Sequence, residues 1–113
     1  MLLTVFERLL LRNIVPQIQG WNFGSMKEAR ILLESLFDET EEARLNFQIK
    51  GTQVKWHKQD DSGNPIPQEK EIEISEGLKA KIAKFLKQLD KEERLGFEHY
   101  SLYEKFVEEK PAQ

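Results

Sequence analysis

The segment WHKQDDSGNPIPQ, from Trp56 to Gln68, is where polar side chains of catalytic type lie closest together along the chain. His57 with Asp60 and Asp61 could supply two or three ligands for a divalent cation. An EF-hand calcium loop needs oxygen ligands at alternate positions and a glutamate at the twelfth, whereas these aspartates are adjacent. Gly-Asn-Pro followed by a second proline is typical of turns. We therefore predict a solvated turn here, with a metal-assisted enzyme as a minor alternative.

His99 lies beside Glu98 and one helical turn before Tyr103, which could form an acid–base pair. However, no nucleophile can be placed beside this histidine from the sequence. The chain also lacks the GxGxxG, GxxxxGKS/T, HExxH and GxSxG motifs of nucleotide-binding, zinc and acyl-transfer enzymes. The sequence predicts that the protein is not an enzyme and has no catalytic residue, metal or cofactor.

A lysine-rich face is predicted on the helix that follows Ser75. Because each helical residue advances about 100°, the face opposite the apolar residues carries a lysine stripe made of Lys81, Lys84, Lys87 and Lys91. Such a stripe could contact the phosphates of a nucleic acid. The net charge of −3 argues against this as the main function. Nucleic-acid contact is therefore the alternative function.

Large aromatic residues near predicted loops and in the last helix are the other candidates for a binding surface. These are Trp21, Phe23, Tyr100 and Tyr103. They either complete a small core or form a patch that binds a partner.

Two helices are predicted at the N-terminus to position these residues. Thr4 with Glu7 matches a capping box, and the helix that follows should end near Ile14, before Pro16. Its apolar positions are Val5, Phe6, Leu9, Leu10 and Val15. Residues 17–24 form a connector that turns Trp21 and Phe23 inward. Ser25 with Glu28 repeats the capping pattern and starts a second helix, which ends around Asp38. Residues 40–45 can add one further turn.

A hairpin and a third strand come next. Apolar residues alternate with polar ones from Leu45 to Trp56, with a turn near Gly51. A Lys50-Gly51 loop would set Phe47 against Val54, and a Gly51-Thr52 loop would set Phe47 against Trp56. The sequence does not decide between these registers. The alternation in residues 69–74, EKEIEI, predicts a third strand.

Two helices are predicted at the C-terminus. Ser75 caps the first, whose apolar stripe is Leu78, Ile82, Phe85, Leu86 and Leu89, and Gly96 ends it. Residues 97–107 form the last helix, with one apolar side made of Tyr100, Tyr103, Phe106 and Val107. A frayed tail is predicted for residues 108–113.

These elements predict a single α+β domain over residues 1–113. It contains two N-terminal helices, a three-stranded antiparallel sheet formed by the hairpin and the third strand, and two C-terminal helices. The chain has no cysteine, which fits a reducing compartment, so we expect a cytoplasmic protein. Charged residues interrupt the apolar N-terminal segment, so neither a signal peptide nor a membrane span is predicted.

The runs TVFERLLLRNIVPQ and, later, LDKEERL to HYSLYEKFV resemble small uncharacterised proteins of bacterial phages and prophages. That family has no assigned activity, so no functional residue is transferred from it. The resemblance implies a bacterial, cytoplasmic setting and a role in phage biology. Because the sequence has a regular core pattern and no recognisable catalytic motif, we expect a non-enzymatic module that binds another protein or a second copy of itself.

Overall fold

The computed structural model describes residues 1–51 and 53–108, and its fold belongs to the α+β class. The α-helices are α1 (Val5–Ile14), α2 (Phe23–Ser35), α3 (Glu39–Leu45), α4 (Glu76–Lys91) and α5 (Tyr100–Tyr103). The strands are β1 (Leu2–Thr4), β2 (Gln48–Lys50), β3 (Gln53–Lys55) and β4 (Glu69–Glu71). Short 3₁₀ turns cover Val15–Gln17 and Phe97–His99, and a π-helical turn covers Glu104–Glu108. No helix in these two ranges is long and apolar enough to cross a bilayer.

The capping box predicted for α1 is present. The Glu7 amide donates to Thr4 Oγ1 (3.1 Å), and the Thr4 amide donates to Glu7 Oε1 (2.9 Å). The helix ends at Ile14 as predicted, because Pro16 follows within a 3₁₀ turn. Both groups of the box lie within four residues of each other, which is why the pattern could be recognised in the sequence.

The predicted three-stranded sheet is wrong. Strand β4 does not extend the hairpin and instead pairs antiparallel with β1, an N-terminal strand that the sequence did not reveal. Leu3 faces Lys70 in this register, and the Leu3 side chain is fully buried. The hairpin forms a separate two-stranded sheet. A three-residue strand has too short an alternation to be recognised, and its partner here lies more than sixty residues away.

The hairpin adopts the second of the two registers left open by the sequence. Lys50 pairs with Gln53 and Ile49 with Val54, and Gly51 has φ 61°, a conformation that favours glycine. The Phe47 and Trp56 rings meet edge to face, with centroids 6.3 Å apart. All described positions of β2 and β3 are exposed, so this hairpin lies at the surface.

Helix α2 begins at a different residue from the one predicted. Its N-cap is Asn22, whose side chain accepts from the Ser25 amide (2.8 Å), while Ser25 Oγ accepts from the Asn22 amide (3.1 Å). Ser25 is therefore the third residue of the helix and not its cap. The helix ends at Ser35, and α3 follows from an Asp38 cap. The earlier start places Phe23 in the first turn of α2, where it is 76 % exposed, so the predicted inward position of Phe23 is wrong.

Helix α4 ends at Lys91, five residues before the glycine that was predicted to end it. Its terminus is a Schellman motif, in which the Arg94 amide donates to the Leu89 carbonyl (2.8 Å) and the Glu93 amide to the Asp90 carbonyl (3.0 Å). Glu93 has φ 56° and takes the left-handed position usually held by glycine.

The last helix is shorter and less regular than predicted. The segment from residue 97 is divided among a 3₁₀ turn, α5 and the π turn. Leu102 and Phe106 are buried, whereas Tyr100 is exposed, so the predicted apolar side of this helix is only partly right. Glu108 closes the π turn, and the rest of the tail predicted to fray, residues 109–113, lies outside the described residues.

The buried core joins both ends of the chain. Its fully buried apolar members are Leu3, Leu11, Leu36, Leu45, Ile82, Leu86 and Leu102. Arg8 is also fully buried, and its guanidinium donates to the carbonyls of Leu36 and Gln68 and to the Glu41 carboxylate. The core therefore packs around a charged group that is hydrogen-bonded on several sides.

Candidate functional site

The structure divides the predicted lysine stripe. Lys81 donates to the Gly20 carbonyl (2.9 Å) and lies 5.2 Å from the centre of the Trp21 ring. Lys84, Lys87 and Lys91 are exposed, and none of them has an ion-pair partner among residues 1–51 and 53–108. Three lysines of the stripe are therefore accessible, and the fourth holds the connector before α2.

The structure also separates the predicted aromatic patch into two parts. Trp21 is half-buried near Lys81, which lies in the first half of α4. The Tyr103 hydroxyl donates to Asp90, which lies in the last turn of α4. Positions 81 and 90 lie roughly 13 Å apart along the helix, at 1.5 Å per residue. Trp21 and Phe23 therefore do not form one patch with Tyr100 and Tyr103.

Tyr100 and Tyr103 instead lie on a concave surface at the end of α4, which we call the C-terminal groove. Its volume is about 390 Å³, within the range of ligand-binding clefts. Most of its lining surface is apolar. The residues that line it are Asp90, Leu95, Gly96, Phe97, His99, Tyr100, Tyr103, Glu104 and Glu108.

Two of these groove residues place large rings in water. Phe97 is 98 % exposed and Tyr100 is 66 % exposed. Single exposed apolar residues are common in proteins, but two aromatic rings beside an apolar groove mark a surface suited to a partner.

The walls of the groove are held by contacts on their inner side. Leu102 and Phe106 are buried against the core, and this fixes the segment that carries Tyr103. The Gly96 amide donates to His99 Nδ1 (2.9 Å), which closes the 3₁₀ turn next to Phe97. The groove is therefore built by packed residues and does not depend on a loose loop.

One edge of the groove is defined by the bond between Tyr103 and Asp90. The Tyr103 hydroxyl donates to Asp90 Oδ2 (3.2 Å). Desolvation of the phenol raises the pKa of Tyr103, and the hydrogen bond and negative charge of Asp90 raise it further. Tyr103 therefore stays protonated at neutral pH and acts as a donor, so it is poorly suited to be a general base.

The acidic side chains that line the groove give it a negative charge. Asp90, Glu104 and Glu108 contribute three carboxylates, and none of the described lining residues is lysine or arginine. His99 also lines the groove, and its Nδ1 accepts a hydrogen bond from the Gly96 amide. The groove thus combines an apolar centre with a negative rim.

The polar segment between Trp56 and Gln68 forms a tight turn, as predicted. Asp60 Oδ1 accepts from the amides of Ser62 and Asn64 (both 2.9 Å), and Gly63 has φ 81°. Asp60 is thus committed to the backbone of its own turn. Over the described ranges, no three His, Asp or Glu side chains come together in a way that could hold a metal ion.

A second apolar groove, which we call the hairpin groove, lies between α1 and the hairpin. It has a volume of about 400 Å³, and its lining residues are Phe6, Leu9, Leu10, Asn13, Val54 and Trp56. Phe6, one of the apolar positions predicted for α1, is 45 % exposed, whereas Val5, Leu11 and Ile14 are buried. This groove has no charged lining residue in the part of the chain that is described.

Two residues of the C-terminal groove, Tyr100 and Tyr103, were predicted from the sequence as candidate binding residues. Three others that shape the groove, Asp90, Leu95 and Phe97, were not. The Schellman motif turns the chain at Glu93, and this turn brings Asp90 and Phe97 to the same cleft. A helix that ended at Gly96 would place them differently.

Comparisons with protein-family models, with curated proteins and with solved structures gave no match for this chain. The C-terminal groove is therefore assigned on its shape, exposure and charge alone.

Proposed function

We propose that this chain is a non-enzymatic interaction module and that it binds another protein at the C-terminal groove. The observation that carries the proposal is the near-complete exposure of Phe97 beside Tyr100, on a groove with an apolar lining. Aromatic side chains that are exposed in the free protein and covered in the complex supply much of the binding energy of interfaces.

Burial of these rings can supply part of the energy of a specific contact. Fully burying a phenylalanine side chain contributes about 1.5–3 kcal/mol. Because Leu102 and Phe106 already fix the supporting segment, little ordering is needed when a partner binds. Little of the energy gained by burying the rings is therefore lost to ordering the segment that carries them.

A binding role is also favoured over a catalytic one by how the polar groups of the groove are used. His99 Nδ1 accepts from a backbone amide, and Asp90 accepts from the Tyr103 hydroxyl. Catalysis at this place would need a base and a nucleophile directed at one reacting atom. Each of these two groups instead forms a hydrogen bond within the protein.

Selection from a displayed peptide library tests the proposal, with the wild-type protein as bait. We expect the selected peptides to lose binding to the F97A/Y100A variant. They should keep binding to F23A/I31A, because Phe23 and Ile31 are similarly exposed on α2 but lie outside the groove. Thermal unfolding of both variants should match the wild type, since neither removes a buried side chain.

Two results would count against the groove as the binding site. One is a selection that enriches no peptide. The other is a set of peptides that bind F97A/Y100A as well as they bind the wild-type protein.

The alternative function is nucleic-acid binding through the accessible part of the lysine stripe. Lys84, Lys87 and Lys91 are favourable for it because they are exposed on one face of α4. This hypothesis expects binding to a mixed DNA and RNA pool at low salt that weakens as salt rises and is lost in the K84E/K87E/K91E variant. No binding at low salt would eliminate it.

The biological setting that we propose follows from the resemblance of the two end segments. It is a bacterial cytoplasm, with a role in phage biology exerted through contact with another protein. Light scattering of the purified protein, compared with F97A/Y100A, distinguishes an external partner from a second copy of the chain. If the groove joined two copies, the wild type would have the mass of a dimer and the variant that of a monomer.

A further inference from the structure

We propose that the partner segment bound in the C-terminal groove is basic, with an apolar anchor flanked by lysine or arginine. This inference rests on the proposed function, because it specifies the chemistry of the partner for the same groove. It goes beyond that function in predicting which protein segments bind and which are rejected.

Charge complementarity is the first reason. The rim carries the carboxylates of Asp90, Glu104 and Glu108, without a lysine or arginine among the described lining residues. An acidic segment would bring like charges together at this rim, while a basic one would pair with them.

The exposed rings supply the second reason. Phe97 and Tyr100 present aromatic surface next to the carboxylates. A guanidinium or ammonium group can lie over such a ring while its alkyl stem covers apolar surface. Because arginine is planar and more weakly hydrated than lysine, arginine is expected to be the better flanking residue.

A second copy of the chain fits this groove less well than an external basic segment. In a two-fold symmetric dimer whose axis passes through the groove, the three carboxylates of one groove would face those of the other. A heterologous contact between the groove and Lys84, Lys87 or Lys91 of another copy would form a ring or a filament of molecules. We therefore assign the groove to a different protein.

Two short synthetic peptides test the charge preference by fluorescence anisotropy. Both have the same Leu-Phe-Leu centre, which is flanked by arginine in one peptide and by glutamate in the other. We expect the arginine peptide to bind roughly tenfold more tightly, since its side chains can pair with the rim carboxylates and those of the glutamate peptide cannot. Its affinity should fall as salt is raised.

Matched variants of the protein locate the effect. D90N/E104Q should weaken the arginine peptide several-fold, while E39Q/D61N should not. Glu39 and Asp61 are exposed carboxylates that do not line the groove. A fall in affinity with both double variants would mean that net charge, and not the rim, attracts the peptide.

The remaining outcomes separate this inference from the proposed function. If the arginine and glutamate peptides bind equally and F97A/Y100A abolishes both, the groove is a binding site but the basic preference is wrong. If the arginine peptide binds F97A/Y100A as tightly as the wild type, the peptide binds elsewhere, and the basic preference of the groove is wrong. If neither peptide binds although library selection yields peptides specific for the groove, only the basic preference is wrong.

Discussion

The ammonium group of Lys105 lies 2.6 Å from the buried carboxylate of Glu7, although 98 positions separate the two residues in the chain. The same ammonium donates to the Leu2 carbonyl (2.9 Å). Glu7 Oε1 also accepts from the Thr4 amide and so completes the capping box of α1. One carboxylate therefore both starts the first helix and attaches the C-terminal segment that carries the groove.

Replacing Lys105 with methionine should destabilise the protein by about 2 kcal/mol, because the charged hydrogen bond to Glu7 is lost and a buried carboxylate is left without its cation. The midpoint of urea unfolding measures this effect. The control is R30M, which breaks the exposed Arg30–Glu34 pair and should change stability by less than about 0.5 kcal/mol. Equal effects of K105M and R30M would show that the Glu7 contact contributes no more than a surface pair.

Glu7 should also make stability depend on pH. Burial acts to raise the pKa of Glu7, but the hydrogen bonds from Lys105 and the Thr4 amide outweigh it, so the pKa lies below the ordinary value of 4.5 for a glutamate. A carboxylate with a lowered pKa in the folded state stabilises the protein above the unfolded pKa, and this stabilisation is lost as pH falls through the folded pKa.

The E7Q variant isolates this contribution. The stability difference between wild type and E7Q should be largest near neutral pH and should shrink as pH falls below about 4.5. Urea unfolding of both proteins across this pH range is the measurement. A difference that stays constant with pH would mean that the charge of Glu7 does not stabilise the fold.

Removing the guanidinium of Arg8 should be far more damaging than removing that of Arg12. Both groups lie over the Phe37 ring, at 4.5 and 5.3 Å from its centre. Arg8 is fully buried and donates to three carbonyls, those of Thr4, Leu36 and Gln68, and to one carboxylate. Arg12 is half exposed and makes a 3.4 Å contact with Glu42. We expect R8M to cost more than about 3 kcal/mol and R12M less than about 1 kcal/mol in unfolding free energy.

The R8K variant distinguishes charge from geometry at the same position. Lysine keeps the positive charge, but its single ammonium cannot replace the planar set of donors. R8K should therefore also be strongly destabilised. Wild-type stability in R8K would show that charge alone is sufficient at this place.

Replacing Glu93 with glycine should stabilise the protein. Glu93 has φ 56°, and a left-handed conformation costs a residue other than glycine about 1–2 kcal/mol. Part of this is offset because glycine also gains freedom in the unfolded chain, so we expect a gain of about 0.5–1 kcal/mol. Thermal unfolding measures it, with K87G as a control that places glycine inside α4 and should destabilise by about 1 kcal/mol. A loss of stability in E93G would contradict the Schellman geometry described for this helix end.

The N-terminal cap of α1 was predicted correctly from the sequence, whereas that of α2 was not. The Thr4–Glu7 box was identified because both members stand at the expected spacing and a proline follows the helix. Before α2, two overlapping patterns compete, Asn22 with Ser25 and Ser25 with Glu28. The structure uses the first, and this choice moves Phe23 from an expected core position to the surface.

The candidate site could be predicted only in part, because the exposure of its residues depends on which neighbouring residues are buried. Tyr100 and Tyr103 are large residues in a helical pattern, and the sequence marks them as either core or patch. Whether they face water depends on Leu102 and Phe106, which take the buried positions in that segment. The exposure of Phe97 depends in turn on where α4 ends.

The α+β class, the cap and end of α1, the hairpin and the turn that follows it could be predicted from the sequence, because their signals come from residues within a few positions of one another. Three features could not be predicted in this way, namely the pairing of β4 with β1, the burial of Arg8, and the position of Asp90 and Phe97 in one groove. The first two join segments from 28 to 69 residues apart, and such contacts form only when the whole core packs. The groove depends on the place where α4 ends, which the Schellman motif sets without the glycine that usually marks it.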